Sequence, residues 1–295
     1  MGSVEDKLRA KLLREPTHEE IAAFNLAVVA RFEDTDWQVR KEALKTLGKL
    51  EPATLVEHAG RVVVQLEDPH WAVRKEALQT LGKLEPATLA QHADAVVARL
   101  GSNRLYVRRL ALQALRMLEP ATLVQYADAV ITRLEDSSEN VRVDALATLA
   151  MLGPAMLAQH ADAVLRDSGS RVRRFALQTL GLLEPATLAQ HADAVVAMLE
   201  DSEWFVRQKA LATLGKLKPA TLAQHAGAVV AMLEDSHELV RVTALETLGR
   251  LELATLALHA DAVLARLEDS DRRVRVKALE TLGRLELATL ALHAD

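Results

Sequence analysis

Residues 51–84 read EPATLVEHAGRVVVQLEDPHWAVRKEALQTLGKL, and this stretch decides the fold both by its internal pattern and by recurring along the chain. Leu55, Ala59, Val62, Val63 and Leu66 follow an i, i+4, i+7, i+8, i+11 stripe, the apolar face of an amphipathic helix. Pro52 stands in its first turn, where a missing N–H does no harm. Glu67, Asp68 and Pro69 break the pattern, and Val73, Ala77, Leu78, Leu81 and Leu84 resume it. The spacing therefore predicts a helix A of about four turns, a short turn, and a helix B. Neither helix is stable alone in water, so each must bury its stripe against the other and each pair against the next.

The recurrence is explicit. EPATL starts at Glu51, Glu85, Glu119 and Glu184, GPAML at Gly153, KPATL at Lys218, and ELATL at Glu252 and Glu286; every spacing is 34 residues except one of 31. Extrapolation backwards places the first copy at Thr17, with Ile21 and residues 27–30 in register. The expected organisation is an N-terminal capping helix in residues 1–16, then a single array over 17–295. Its eight repeats start at 17, 51, 85, 119, 153, 184, 218 and 252, and a partial ninth starts at 286. Residues 244–261 and 278–295 are identical at all eighteen positions, the mark of recent duplication or of a regularised array.

Composition agrees. Half of the 295 residues are hydrophobic but only 3% are aromatic, nine side chains in all, so the core must be Leu, Val and Ala. Without cysteine there is no disulfide scaffold, thiol nucleophile or thiolate metal site. A net charge of −5 offers no global attraction to nucleic acid or anionic lipid. No run of eighteen apolar residues and no signal-peptide pattern is present, so no membrane association is expected and the compartment is expected to be cytoplasmic or nuclear.

Seven of the eight repeats also carry an Asp in the A-to-B turn and, six residues on, an Arg after Val in the first turns of helix B. The pairs are Asp34 and Arg40, Asp68 and Arg74, Asp136 and Arg142, Asp167 and Arg173, Asp201 and Arg207, Asp235 and Arg241, and Asp269 and Arg275. In this the chain resembles the HEAT family, in particular the short HEAT-like repeats shared with phycobilin lyases. That resemblance implies an all-α, right-handed α-solenoid of stacked two-helix repeats. It also implies that the turn Asp and helix-B Arg form a ladder between neighbours. The third repeat has Ser102 beside Arg108, so its rung is expected to be weaker, and the three-residue deletion after Val164 is expected to shorten helix A by nearly a turn.

The remaining chemistry is sparse. Seven histidines (His58, His92, His160, His191, His225, His259 and His293) share one repeat position, mostly two residues before an Asp. Residues two apart on a helix diverge by about 200°, and equivalent residues in stacked repeats lie about 8–10 Å apart, so a shared metal is not expected. Packing or hydrogen bonding between repeats explains them better, and Tyr126 replacing one of them suits that role. Apart from Ser3 the serines lie in A-to-B turns, as caps would. No phosphate loop, dinucleotide fingerprint, paired-His zinc motif or nucleophile elbow occurs. We expect no enzyme, no catalytic residues, no metal and no cofactor.

Function is sought where repeats differ. On helix B, opposite the apolar stripe, the central copies carry Tyr106, Leu110, Phe175, Phe205 and Leu239, interleaved with Arg109, Arg171, Arg174 and Lys209. HEAT-like solenoids line their concave surface with this face, and the composition matches that of interaction hot spots. The leading expectation is a non-catalytic scaffold that binds a protein or peptide segment there. The alternatives are a nucleic-acid-binding module, disfavoured by the acidic net charge, and a regularised array without a selected ligand. Trp37, Trp71 and Trp204 share one repeat position and read as packing over the turn. With Leu287, Leu290 and Leu292 uncapped, the C-terminal end predicts end-to-end self-association or a longer parent chain.

Overall fold

The computed structural model describes residues 17–292, so the expected capping helix of residues 1–16 lies outside the described residues. Among the described residues every regular element is helical. The chain divides into two compact units, one up to Val130 and one from Ile131.

The first unit contains α1 (His18–Ala30) and α2 (Trp37–Leu47), α3 (Pro52–Val64) and α4 (Trp71–Leu81), then α5 (Pro86–Ala90), α6 (Ala93–Ala98) and α7 (Leu105–Leu115). After it come α8 (Pro120–Leu123) and α9 (Ala127–Ile131), the latter reaching the boundary. The second unit contains α10 (Glu139–Ala150), α11 (Pro154–Leu165), α12 (Ser170–Leu180), α13 (Pro185–Ala189), α14 (Ala192–Ala197) and α15 (Trp204–Leu214). It continues with α16 (Pro219–Ala223), α17 (Ala226–Ala231), α18 (Glu238–Leu248), α19 (Leu253–Ala257), α20 (Ala260–Leu264) and α21 (Arg272–Leu292).

Each unit is a succession of A/B pairs, and the starts are chemically marked. Proline takes the first helical position in α3, α5, α8, α11, α13 and α16, where its fixed φ suits the turn. Ahead of α1 a capping box forms: the Glu20 N–H donates to Thr17 Oγ1 at 3.3 Å and the Thr17 N–H to Glu20 Oε2 at 3.0 Å. The stripes go where their periodicity points. In the second repeat Leu55, Ala59, Val62, Val63 and Leu66 of the A side and Val73, Ala77 and Leu81 of the B side are buried. In the second unit one continuous Leu/Val/Ala cluster runs from Leu146 to Ala278. Buried threonines add a tie between repeats: Thr213 Oγ1 donates to the Leu177 carbonyl at 2.9 Å, and Thr247 Oγ1 to the Leu211 carbonyl at 3.1 Å.

Two sequence expectations are corrected. Helix A is not one four-turn helix in five of the eight copies: it breaks at a histidine in four of them and at a 3₁₀ turn ending in Tyr126 in the fourth repeat, whereas α3 and α11 run unbroken through His58 and His160. The Gln91 and His92 N–H groups turn to Thr88 and Leu89, three residues back, at 3.1 and 2.9 Å, and a new segment starts from the His92 carbonyl. Asp94 then sits in the first turn of that segment, where a negative charge complements the helix dipole. The same break recurs at His191, His225 and His259.

The three-residue deletion does not shorten helix A either. Elsewhere a 3₁₀ turn, such as Gln65–Glu67 or Met198–Glu200, links helix A to the turn aspartate; α11 keeps twelve residues and passes directly to Arg166 and Asp167. Losing the turn preserves the apolar stripe, and Ala161, Val164 and Leu165 remain buried. A cavity of about 440 Å³ remains beside it, lined among others by Leu134, Ala163 and Val164.

After the last turn aspartate the backbone stays helical past residue 286. α21 runs from Arg272 to Leu292 through Gly283. Comparable glycines cap their B helices against the next repeat, Gly48 facing Lys83 and Gly215 facing Arg250, whereas around Gly283 nothing described lies within 4 Å. Those caps have ordinary helical φ, so close approach rather than backbone freedom selects glycine there. Among the described residues only Gly153 has a positive φ, at 99°. It follows α10, which runs to Ala150 where most other copies cap with glycine, and the chain needs that reversal to restart at Pro154.

Candidate functional site

The A-to-B turns set the geometry. Each turn aspartate accepts the N–H two residues on: Asp68 from His70 at 2.7 Å, Asp201 from Glu203 at 2.9 Å, Asp235 from His237 at 2.8 Å. The helix-B arginine of the same repeat uses Nη1 on that aspartate's own carbonyl, as in Arg207 to Asp201 at 2.8 Å. Its other two donors reach the carboxylate of the following repeat. Arg40 holds Asp68, Arg142 holds Asp167, Arg173 holds Asp201, Arg207 holds Asp235 and Arg241 holds Asp269, each through Nε and Nη2 at 2.6–2.9 Å. Bidentate charged bonds of this kind are among the stronger polar contacts in proteins. They raise all five guanidinium pKa values, hydrogen bonding to the carboxylate being the largest cause. Burial tends to raise the carboxyls of Asp201, Asp235 and Asp269, but bonds from Arg173, Arg207 and Arg241 and from backbone N–H groups outweigh it and leave them lowered.

This register relocates the irregular rung. Because the acid comes from the following repeat, Ser102 deprives Arg74 of a carboxylate and not Arg108, whose Nη1 bonds the Ser102 carbonyl at 2.9 Å. Arg74 retains its bonds to the Asp68 and Pro69 carbonyls at 2.8 and 2.9 Å. Its guanidinium carbon lies 5.8 Å from the centre of the Tyr106 ring. Unlike those of the five paired arginines, its pKa is lowered, first by burial and then by repulsion from Arg104.

Around Arg74 lies a cavity of about 480 Å³, lined by Trp71, Arg74, Lys75, Tyr106, Arg109, Leu110 and Gln113. Three of the residues singled out from sequence, Tyr106, Arg109 and Leu110, therefore come together in the first unit. Trp71, Arg74, Lys75 and Gln113 were missed; the Asp-to-Ser change at 102, assigned one repeat back, was the signal that could have found them. Trp37 and Trp204 lie on His70 and His237 with ring centres 3.8 and 3.9 Å apart. The residue equivalent to those histidines for Trp71 is Arg104, and Trp71 is 63% exposed.

In the second unit Arg171, Arg174 and Phe175 join Val143 and Gln178 around a smaller cavity of about 220 Å³. Arg174 also lies over the Phe205 ring at 5.9 Å, and Phe205 meets Trp204 edge-to-face. Lys209 and Leu239 line neither cavity. Phe175, Phe205 and Leu239 are half-buried, the two phenylalanines against the core, so the expected stripe is less open than its position on helix B suggests. Within it Ala72, Asp144 and Thr243 are buried.

At the recurring histidine position three copies reach the preceding repeat. Tyr126 donates its hydroxyl to Asp94 at 3.0 Å, and His191 and His225 approach Asp162 and Asp193 at 3.8 and 4.0 Å. Among the described residues no group of three or more His, Asp or Glu side chains could hold a metal ion. No described helix is long and apolar enough to cross a membrane.

Comparison with known proteins agrees with this architecture. Residues 25–116 match the family model for HEAT repeats, and HEAT repeats generally serve as protein-interaction scaffolds. Among solved structures, the Escherichia coli protein YibA is similar at 17% identity, with 92% of this chain and 99% of that one covered and a TM-score of 0.58. An engineered protein is similar at 17% identity, with 88% and 77% covered and a TM-score of 0.54. A chain in a homology model of the full-length AP-3 complex in an intermediate open conformation is similar at 16% identity and a TM-score of 0.65; the match takes in 88% of this chain and 50% of that one. These likenesses are of fold. No curated protein matches the sequence.

Proposed function

We propose that the chain is a non-catalytic scaffold that binds a protein or peptide segment on the exposed face of its B helices. The observation that carries this reading is the set of large side chains at positions the core does not use. Tyr106 is 57% exposed beside Trp71 and Leu110, with arginine and lysine around them. Exposed aromatic and Arg groups of this kind form the energetic centres of protein interfaces. Phe175 and Arg174 repeat the combination on a smaller scale in the second unit.

The arginines that would favour nucleic acid are largely engaged locally. Arg104 Nη1 donates to the Glu67 carbonyl at 3.1 Å, Arg171 to Asn140 at 2.7 Å, and Arg173 pairs with Asp201. Quantitative capture of partners by the full chain, compared with the Tyr106→Ala, Phe175→Ala, Phe205→Ala triple variant, tests the proposal. We expect partner retention to fall by at least about tenfold, the effect of losing one or two hot-spot side chains. Unchanged interactions would overturn the reading, as would tight nucleic-acid binding that weakens steeply with salt.

A further inference from the structure

Arg74 is a cation prepared for a carboxylate that the following repeat, with Ser102 at the aspartate position, does not supply. Its side chain is placed by the same two carbonyl bonds as the other rung arginines, and the whole residue is only 9% exposed. In five equivalent arginines Nε and Nη2 carry the bidentate bond to the next aspartate. In Arg74 neither atom has a hydrogen-bond partner among the described residues, neither is sealed from solvent, and the residue lines the cavity. A buried, unpaired charge is costly, and an anion entering the cavity removes that cost.

We propose that this cavity is the docking site for an acidic side chain of a partner polypeptide. Its Asp or Glu carboxylate completes the open rung on Arg74, and an apolar neighbour in the same segment covers Trp71, Tyr106 and Leu110. The inference rests on the scaffold reading above and specifies its partner. Three features select the occupant. The other rungs show that the arginine fork takes a planar carboxylate through Nε and Nη2, at 2.6–2.9 Å. Lys75 lies on the cavity wall, and Arg104 acts on the guanidinium more strongly than Asp68 does, an acid that Arg40 already holds. Beside that charge lies apolar surface, because Trp71 lacks the stacked histidine that covers Trp37 and Trp204. A polypeptide can present an acid and an apolar group side by side to match this pairing.

The test is selection of random dodecapeptides on the immobilised full chain, with affinities then measured on the wild type, Ser102→Asp, Ser102→Asn and Phe175→Ala. Ser102→Asp supplies the carboxylate from within, whereas Ser102→Asn supplies similar bulk without charge. The expected result is a family of peptides with Asp or Glu next to an aromatic or aliphatic residue. These should bind Ser102→Asp at least about tenfold more weakly than the wild type, the loss of a charged bidentate contact. They should bind Ser102→Asn nearly as well as the wild type, and lose affinity when their acid is changed to its amide. Closure of the rung should also raise the melting temperature of Ser102→Asp by about 2–4 °C, which shows that the variant is folded. Selected peptides without an acidic residue, or equal binding to Ser102→Asp, would overturn the inference. If such peptides instead depended on Phe175, the scaffold reading would stand without it. Absence of any selected peptide would overturn both.

Discussion

Two equivalent joints behave differently. Between the sixth and seventh repeats Arg207 grips Asp235 twice, at 2.6 and 2.8 Å, and Trp204 lies flat on His237 at 3.9 Å. Between the second and third, Ser102 and Arg104 stand at the positions of that aspartate and that histidine. There Arg74 has no carboxylate and Trp71 is open to solvent. Two substitutions in one turn thus convert a sealed structural joint into a cavity with a cation at its base. Because every joint uses the same template, the energetic work of a contact can be read by comparing the joint that has it with the joint that lacks it.

Acid should affect the joints most unequally. The carboxyls of Asp201, Asp235 and Asp269 are lowered by folding, so their contribution to stability is fully present above the ordinary Asp range and is lost as pH falls through the lowered values. Hydrogen-exchange protection factors of α15 and α18 should fall between about pH 5 and 2, while the joint around Arg74, which has no such carboxylate, changes less. Equal losses at both joints would break the comparison.

Asp235→Ala should reproduce the open joint inside the second unit. It removes a charged pair and a cap together, a loss of about 2–4 kcal/mol by chemical denaturation. A loss below 1 kcal/mol would mean that the rungs are energetically idle.

Truncation of the tryptophans should separate the joints again. Trp204→Ala gives up a stacked ring pair and a half-buried side chain, about 1–3 kcal/mol, whereas Trp71→Ala should stay within about 0.5 kcal/mol. The opposite sign is expected for Arg104→His, which restores the ring partner of Trp71. It should stabilise by about 0.5–1 kcal/mol and reduce acrylamide quenching of Trp71 in a chain whose other tryptophans are replaced by Phe.

Much of the fold was legible because a repeat prints its own periodicity. The stripe at Leu55, Ala59, Val62 and Val63 and the proline at position 52 place helix A without further help. The break at His92 was not legible, since its flanking residues are all compatible with helix and only local backbone bonding reveals it. At the candidate site, Tyr106, Arg109 and Leu110 stood out as departures from the template. Trp71 and Arg74 did not, because each carries its template residue type. What is unusual is their partner one repeat on, and a reading confined to single repeats pairs each arginine with the wrong acid.

The sequence by itself determined the two-helix unit, its repetition and the small aliphatic core, all consequences of side-chain periodicity within about thirty residues. Only the tertiary structure decided which acid belongs to which arginine, which tryptophan is covered, and therefore where charge and apolar surface are left open together. These are contacts between repeats, about 28 residues apart along the chain from Arg40 to Asp68. Their pairing is set by how one turn stacks on the next, a register that no window within a single repeat contains.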